Sequence, residues 1–174
     1  MAKALRTHPF DVVLAVRLLQ PSATLVPLAD QLGVSPSQIH AALGRLANAG
    51  LLRPDTRSTN VRALGEFVVN GVRYAFPAAR GPLTEGVPTA YSTAPLAAVV
   101  DAIDVLVWPA PNATGRVRGF GITPLYAGAP LLVDRSPETY RILSIVDAFR
   151  LGDARIRSAA RAELERALGR RLSD

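Results

Sequence analysis

Leu28 to Leu52 reads LADQLGVSPSQIHAALGRLANAGLL, a stretch that encodes two helices joined at a sharp turn. Leu25, Leu28, Ala29 and Leu32 recur at helical spacing, and Gly33 follows as a C-terminal stop with Val34 tucked beneath it. Ser35 is placed to cap a second helix that has Pro36 at its first position, where a missing amide proton costs nothing. Over residues 36–49, Ile39, Leu43 and Leu46 fall at i, i+4 and i+7 and form one buried stripe. Ser37, Gln38, Ala41, Arg45 and Asn48 take the opposite side, with His40 at its flank, and Gly50 ends the helix.

This stretch resembles the helix-turn-helix of bacterial winged-helix transcription regulators. The likeness rests on Leu28-Ala29 in the first helix, Leu32-Gly33-Val34-Ser35 in the turn, the Ile39, Leu43, Leu46 stripe, and Ala49-Gly50-Leu51-Leu52 after it. Two helices meeting at a sharp turn need a small residue in the turn and apolar residues at these offsets. The resemblance implies that the second helix enters the major groove of double-stranded DNA, where residues near its N-terminus reach base edges. Gln38 suits adenine, Arg45 guanine and Ala41 a thymine methyl, while Ser35 and the free amides beside it suit a phosphate. Ser37 and His40 share the outward face. Arg53, Arg57 and Arg62 follow where a wing would grip the backbone.

Working outward, residues 9–20 read as a core helix, with Phe10, Val13, Leu14, Val16 and Leu18 ahead of Pro21. After the helix pair, Ser58 or Thr59 is expected to cap a further helix over residues 60–70 with Val61, Leu64, Phe67 and Val68 inside, so that the wing is missing or reduced. The texture then changes. Val72, Tyr74 and Phe76 alternate with Arg73 and Ala75 as a short strand, residues 78–95 read as a Gly- and Pro-rich loop, and residues 97–104 as helical turns. Two more strands are expected, over 105–108 and 116–122. Ser136-Pro137-Glu138 opens a buried helix that runs to Leu151, and Asp153 caps a last one over 154–168. Its stripe of Ile156, Ala160, Leu164 and Leu168 needs a partner, either within the chain or in another copy, and dimerisation is the preferred expectation.

These elements make an α+β protein with a helix-turn-helix DNA-binding domain over 1–71. The remainder, 72–174, is a small mixed domain whose C-terminal helical pair serves dimerisation or partner binding.

Composition narrows the function. The 174 residues are 49% hydrophobic and 20% charged, a balance that suits a globular chain with a real core. With no Cys and two His, thiolate metal sites and cysteine nucleophiles are excluded. His8 and His40 have no acid at ligand spacing, and Asp101 with Asp104 lacks a third ligand, so no metal or other cofactor is expected. No nucleophile elbow or phosphate-binding loop points to an enzyme. Trp108, Tyr74, Phe76, Tyr91 and Tyr126 are assigned to packing rather than to an effector pocket.

The net charge is +6, and all but Lys3 of the 20 basic residues are Arg, a skew that GC-rich codon usage also produces. Its placement is more telling. Residues 1–62 carry seven basic and three acidic side chains, or +4, whereas 63–135 balance and 136–174 reach only +2. Asp11 and Arg17 interrupt the apolar start, so neither export nor a membrane span is expected and the cytoplasm is the default location.

A looser resemblance covers NGVRYAFPAARGPLTEGVPTAYSTAPL, ITPLYAGAPLL and SPETYRILSIVDAFRLGDARIRSAA. These stretches are similar to small bacterial regulators that accompany nucleotidyltransferase-type toxins, which implies an antitoxin-like, autoregulatory protein with a protein partner. Two readings therefore stand: a DNA-binding regulator, expected to repress as a homodimer on an inverted repeat, and a protein-interaction module built on a degenerate winged helix.

Overall fold

A computed structural model describes residues 7–21, 24–56 and 58–172. Its first helix, α1 (Pro9–Arg17), starts in a capping box: the His8 ring accepts from the Phe10 amide, and the Asp11 carboxylate accepts from the His8 amide at 2.8 Å. Residues Phe10 to Leu18 are all buried, so α1 is a central rod rather than a surface helix. Arg17 is buried too. Its Nε donates to Gln31 at 2.5 Å while Nη1 has no hydrogen-bond partner, and burial lowers its pKa. Its place at the end of α1 sets the cation against the negative pole of the helix.

Helices α2 (Leu25–Leu32) and α3 (Pro36–Asn48) follow as the spacing requires. Gly33 is left-handed at φ 66°, and the Val34 amide reaches back to the Ala29 carbonyl, so the chain turns within three residues. The buried positions of α3 are Ile39, Ala42 and Leu46; Leu43 is only half-buried. Beyond α3 the chain makes a minimal hairpin in which Leu52 bridges Thr59 and the Arg53 amide donates to the Ser58 carbonyl. The Thr59 hydroxyl anchors this hairpin to the Ala15 carbonyl of α1. The cap of α4 (Val61–Asn70) is Asn60, whose side chain accepts from the Ala63 amide, rather than Ser58 or Thr59.

The alternation over 72–76 does not produce a strand. Among the described residues no strand pairs with it, and the backbone closes a single helical turn, α5 (Val72–Ala75), with Tyr74 out in solvent against Arg73. The strand lies instead inside the expected loop: β1 (Leu83–Pro88) pairs antiparallel with both β2 (Leu106–Pro109) and β3 (Val117–Gly121). Parallel pairing of β2 with β3 closes the three strands on themselves, so that each borders the other two. Gly86 makes this closure possible. A Cβ there would run into the Trp108 carbonyl oxygen of β2. Of the stretch 97–104 expected to be helical, only the first two residues take part in a short 3-10 turn, at 96–98.

After a 3-10 turn (Ala129–Leu131) and the short α6 (Leu132–Arg135), α7 (Pro137–Leu151) crosses the centre of the molecule. Ser136 stands at its N-cap, but its hydroxyl meets Thr139 Oγ1 at 2.8 Å rather than a backbone amide. The helix carries a buried polar node. Asp147 accepts from Trp108 Nε1 at 2.6 Å, Thr89 Oγ1 at 2.9 Å and Arg150 Nη1 at 2.6 Å, and Arg150 donates onward to the carbonyls of Phe76 and Thr123. Burial pushes the Asp147 carboxyl up, opposed by these three donors. The node ties α7 to the sheet and to the end of α5.

The last helix, α8 (Ala154–Leu168), is capped by Asp153 and lies on α7 and α4. Ala160 and Leu164 are buried there, with Ile156 and Leu168 half-buried. The stripe expected to seek a second copy is thus covered within the chain. Leu168 and Leu172 reach Gly65 of α4, where a Cβ would collide with Leu172. One apolar cluster runs from α1 through α7 to α8 and includes Trp108 and Ile122 of the sheet region. The fold is α+β, and no helix among the described residues is long and apolar enough to cross a membrane.

Candidate nucleic-acid interface

The candidate face is built on the first two turns of α3. Ser35 and Gln38 form a reciprocal capping box: Ser35 Oγ accepts from the Gln38 amide at 3.3 Å, and Gln38 Oε1 accepts from the Ser35 amide at 2.9 Å. Ser37 Oγ lies 3.0 Å from Ser35 Oγ. Ser37, Gln38, His40 and Ala41 are all exposed, on the side of α3 away from the Ile39, Ala42, Leu46 core. The exposure of these four residues agrees with the helical spacing of the sequence.

Two refinements follow from the geometry. Gln38 Oε1 is engaged by its own cap, so bidentate pairing with adenine would compete with that bond for the oxygen. Pro36 has no amide proton and the Gln38 amide is already used, so the Ser37 amide is the first-turn donor left for a phosphate.

Arg45 departs from the expectation. It does not project into the outward face but folds across to α1, where Nε and Nη2 grip the Asp11 carboxylate at 2.6–3.0 Å. The Arg45 side chain is 18% exposed and Asp11 only 3%. The hydrogen bond to Asp11 raises the arginine pKa further, and the pair locks α3 against α1. Asp11 is the residue the sequence reading missed as a determinant of this face. Its signal was an acid in the first turn of an otherwise apolar helix, which alone accounts for a helix cap.

The positive rim comes from the hairpin and α4. Arg53 is exposed at the start of the hairpin. Arg62 is exposed and pairs with Glu66 one turn along α4 at 2.8 Å, a solvent-facing contact that a phosphate can displace. Arg57 lies outside the described residues. The arrangement can present a short polar face of donors and one imidazole, flanked by guanidinium groups, to a groove. Comparison of the chain with family models, with curated proteins and with solved structures finds no match.

Proposed function

We propose that the protein is a DNA-binding transcription regulator, with α3 as the helix that enters the major groove and the 52–59 hairpin as a reduced wing. The observation that carries this reading is the exposed Ser37, Gln38, His40, Ala41 face on a helix held by the Gly33 turn, followed directly by Arg53. A helix whose core side is fixed by Ile39 and Leu46, and whose polar side is left bare, is suited to reading a surface. In this proposal two copies bind an inverted repeat in the cytoplasm, and occupancy of a promoter represses it.

A gel-shift titration of duplex from the gene's own upstream region tests it. If Arg53, Arg57 and Arg62 each neutralise a phosphate in both copies, log K falls with log salt at a slope of about −5, or about a thousandfold between 50 and 200 mM. Gln38→Ala is expected to weaken binding about 5- to 100-fold, the range of one lost base contact. No retardation at low salt ends the proposal.

The turning of Arg45 away from the exposed side of α3 to Asp11 favours the second reading, an antitoxin-like module that binds a toxin-like protein partner through the same face. That reading gains if the gel shift fails while a neighbouring gene product co-purifies with the wild type and not with Gln38→Ala.

A further inference from the structure

A cleft lies between α1 and α4 and shares with the interface above only Asp11 and Glu66, the partners of Arg45 and Arg62. Its walls are apolar, from Val12, Leu51, Ala63, Phe67 and Phe76, and it encloses about 550 Å³. That volume falls within the range of about 300–1,000 Å³ typical of small-molecule sites. Gly71 shapes the wall, because a Cβ there would stand 2.9 Å from the Phe67 ring. The ionisable side chains of the lining are the acids Asp11 and Glu66 and the imidazole of His8; no Lys or Arg among the described residues borders it. Asp11 meets its arginine from the α3 side, and Glu66 holds Arg62 only in an exposed pair.

We propose that this cleft binds a lipophilic organic cation, an apolar body carrying one positive charge. The Phe67 and Phe76 rings, both in the lining, meet edge to face, with centroids 6.3 Å apart and planes at 69°. Aromatic faces attract cations through the ring quadrupole, and a partly dry site strengthens that attraction. An anion of the same shape would gain nothing from the rings and would compete with Glu66 for Arg62, which is not part of the lining. Nothing in this proposal requires DNA.

Calorimetric titration of the full chain, without DNA, compares tetraphenylphosphonium with tetraphenylborate, two ions of nearly the same shape and opposite charge. The phosphonium is expected to bind one per chain, with the borate weaker by about tenfold or more, equivalent to about 1.4 kcal/mol. Glu66→Gln, at an exposed position that leaves the core untouched, is expected to reduce phosphonium affinity about fivefold and to narrow the gap between the ions. Ala63→Phe fills the cleft and is expected to abolish binding while the circular dichroism spectrum is retained. The proposal is overturned if the borate binds as well as the phosphonium, if Glu66→Gln leaves the preference intact, or if millimolar phosphonium gives no heat.

Discussion

Asp11 has two roles: it receives the His8 amide at the start of α1 and the Arg45 guanidinium arriving from α3. A carboxylate 3% exposed, bound by a bidentate arginine, is costly to leave alone. Arg45→Ala strands that charge among apolar neighbours and is expected to cost about 2–4 kcal/mol in urea denaturation. Asp11→Ala is expected to cost less, because the freed guanidinium can turn to solvent. Since either single change already breaks the pair, the double variant is expected to fall short of the sum by about 2 kcal/mol. Additivity within about 0.5 kcal/mol would sink the idea that the pair locks α3 to α1. The helical position of Arg45 is legible in the sequence, but its partner, 34 residues away, is not. Ser37, Gln38, His40 and Ala41 were legible because nothing beyond their own helix decides where they face.

At the scale of elements, the helices with local signals came through. Gly33 after α2, Ser35-Pro36 before α3 and Asp153 before α8 each act within a few residues of themselves. The strands expected over 105–108 and 116–122 came through as β2 and β3, but the first strand was misplaced, because pairing is a property of two segments. The Val72, Tyr74, Phe76 alternation found no neighbour, whereas Leu83–Pro88, marked as loop by its glycine and prolines, lies where β2 and β3 both pair with it. In β1 the glycine is a close-approach residue rather than a breaker. The C-terminal stripe shows the same limit from the other side. An apolar face demands cover, and α7 with α4 supplies it without a second copy. Leu164, 1% exposed, is therefore expected to behave as core: Leu164→Ala should lower stability by about 2–5 kcal/mol without changing the mass measured by light scattering. A stable variant whose mass falls to half that of the wild type would return the stripe to a dimer interface.

Across the whole molecule, the seams between helices and sheet are closed by tyrosines. The Tyr140 hydroxyl donates to the Pro88 carbonyl at 2.6 Å while its ring sits edge-on to Trp108, and Tyr126 packs edge-on to Phe10 with its hydroxyl buried and unpaired. Burial pushes the phenol pKa upward in both, and in the half-buried Tyr91, with Arg135 pulling Tyr126 and Arg80 pulling Tyr91 partly back. A folded-state pKa above the unfolded value of about 10 leaves stability unaffected at lower pH, where both states keep the proton. As pH climbs past 10 the unfolded chain releases protons that the folded one retains, so stability is lost, by up to about 1.4 kcal/mol per pH unit for each phenol. Urea midpoints are thus expected to hold to about pH 10 and then decline, with tyrosinate absorbance rising in step with unfolding. Tyr126→Phe removes the unpaired hydroxyl and is expected to gain about 1 kcal/mol near neutrality while making the alkaline decline shallower. If the tyrosinate signal instead completes its rise near pH 10 with the fold intact, the phenols do not seal these seams.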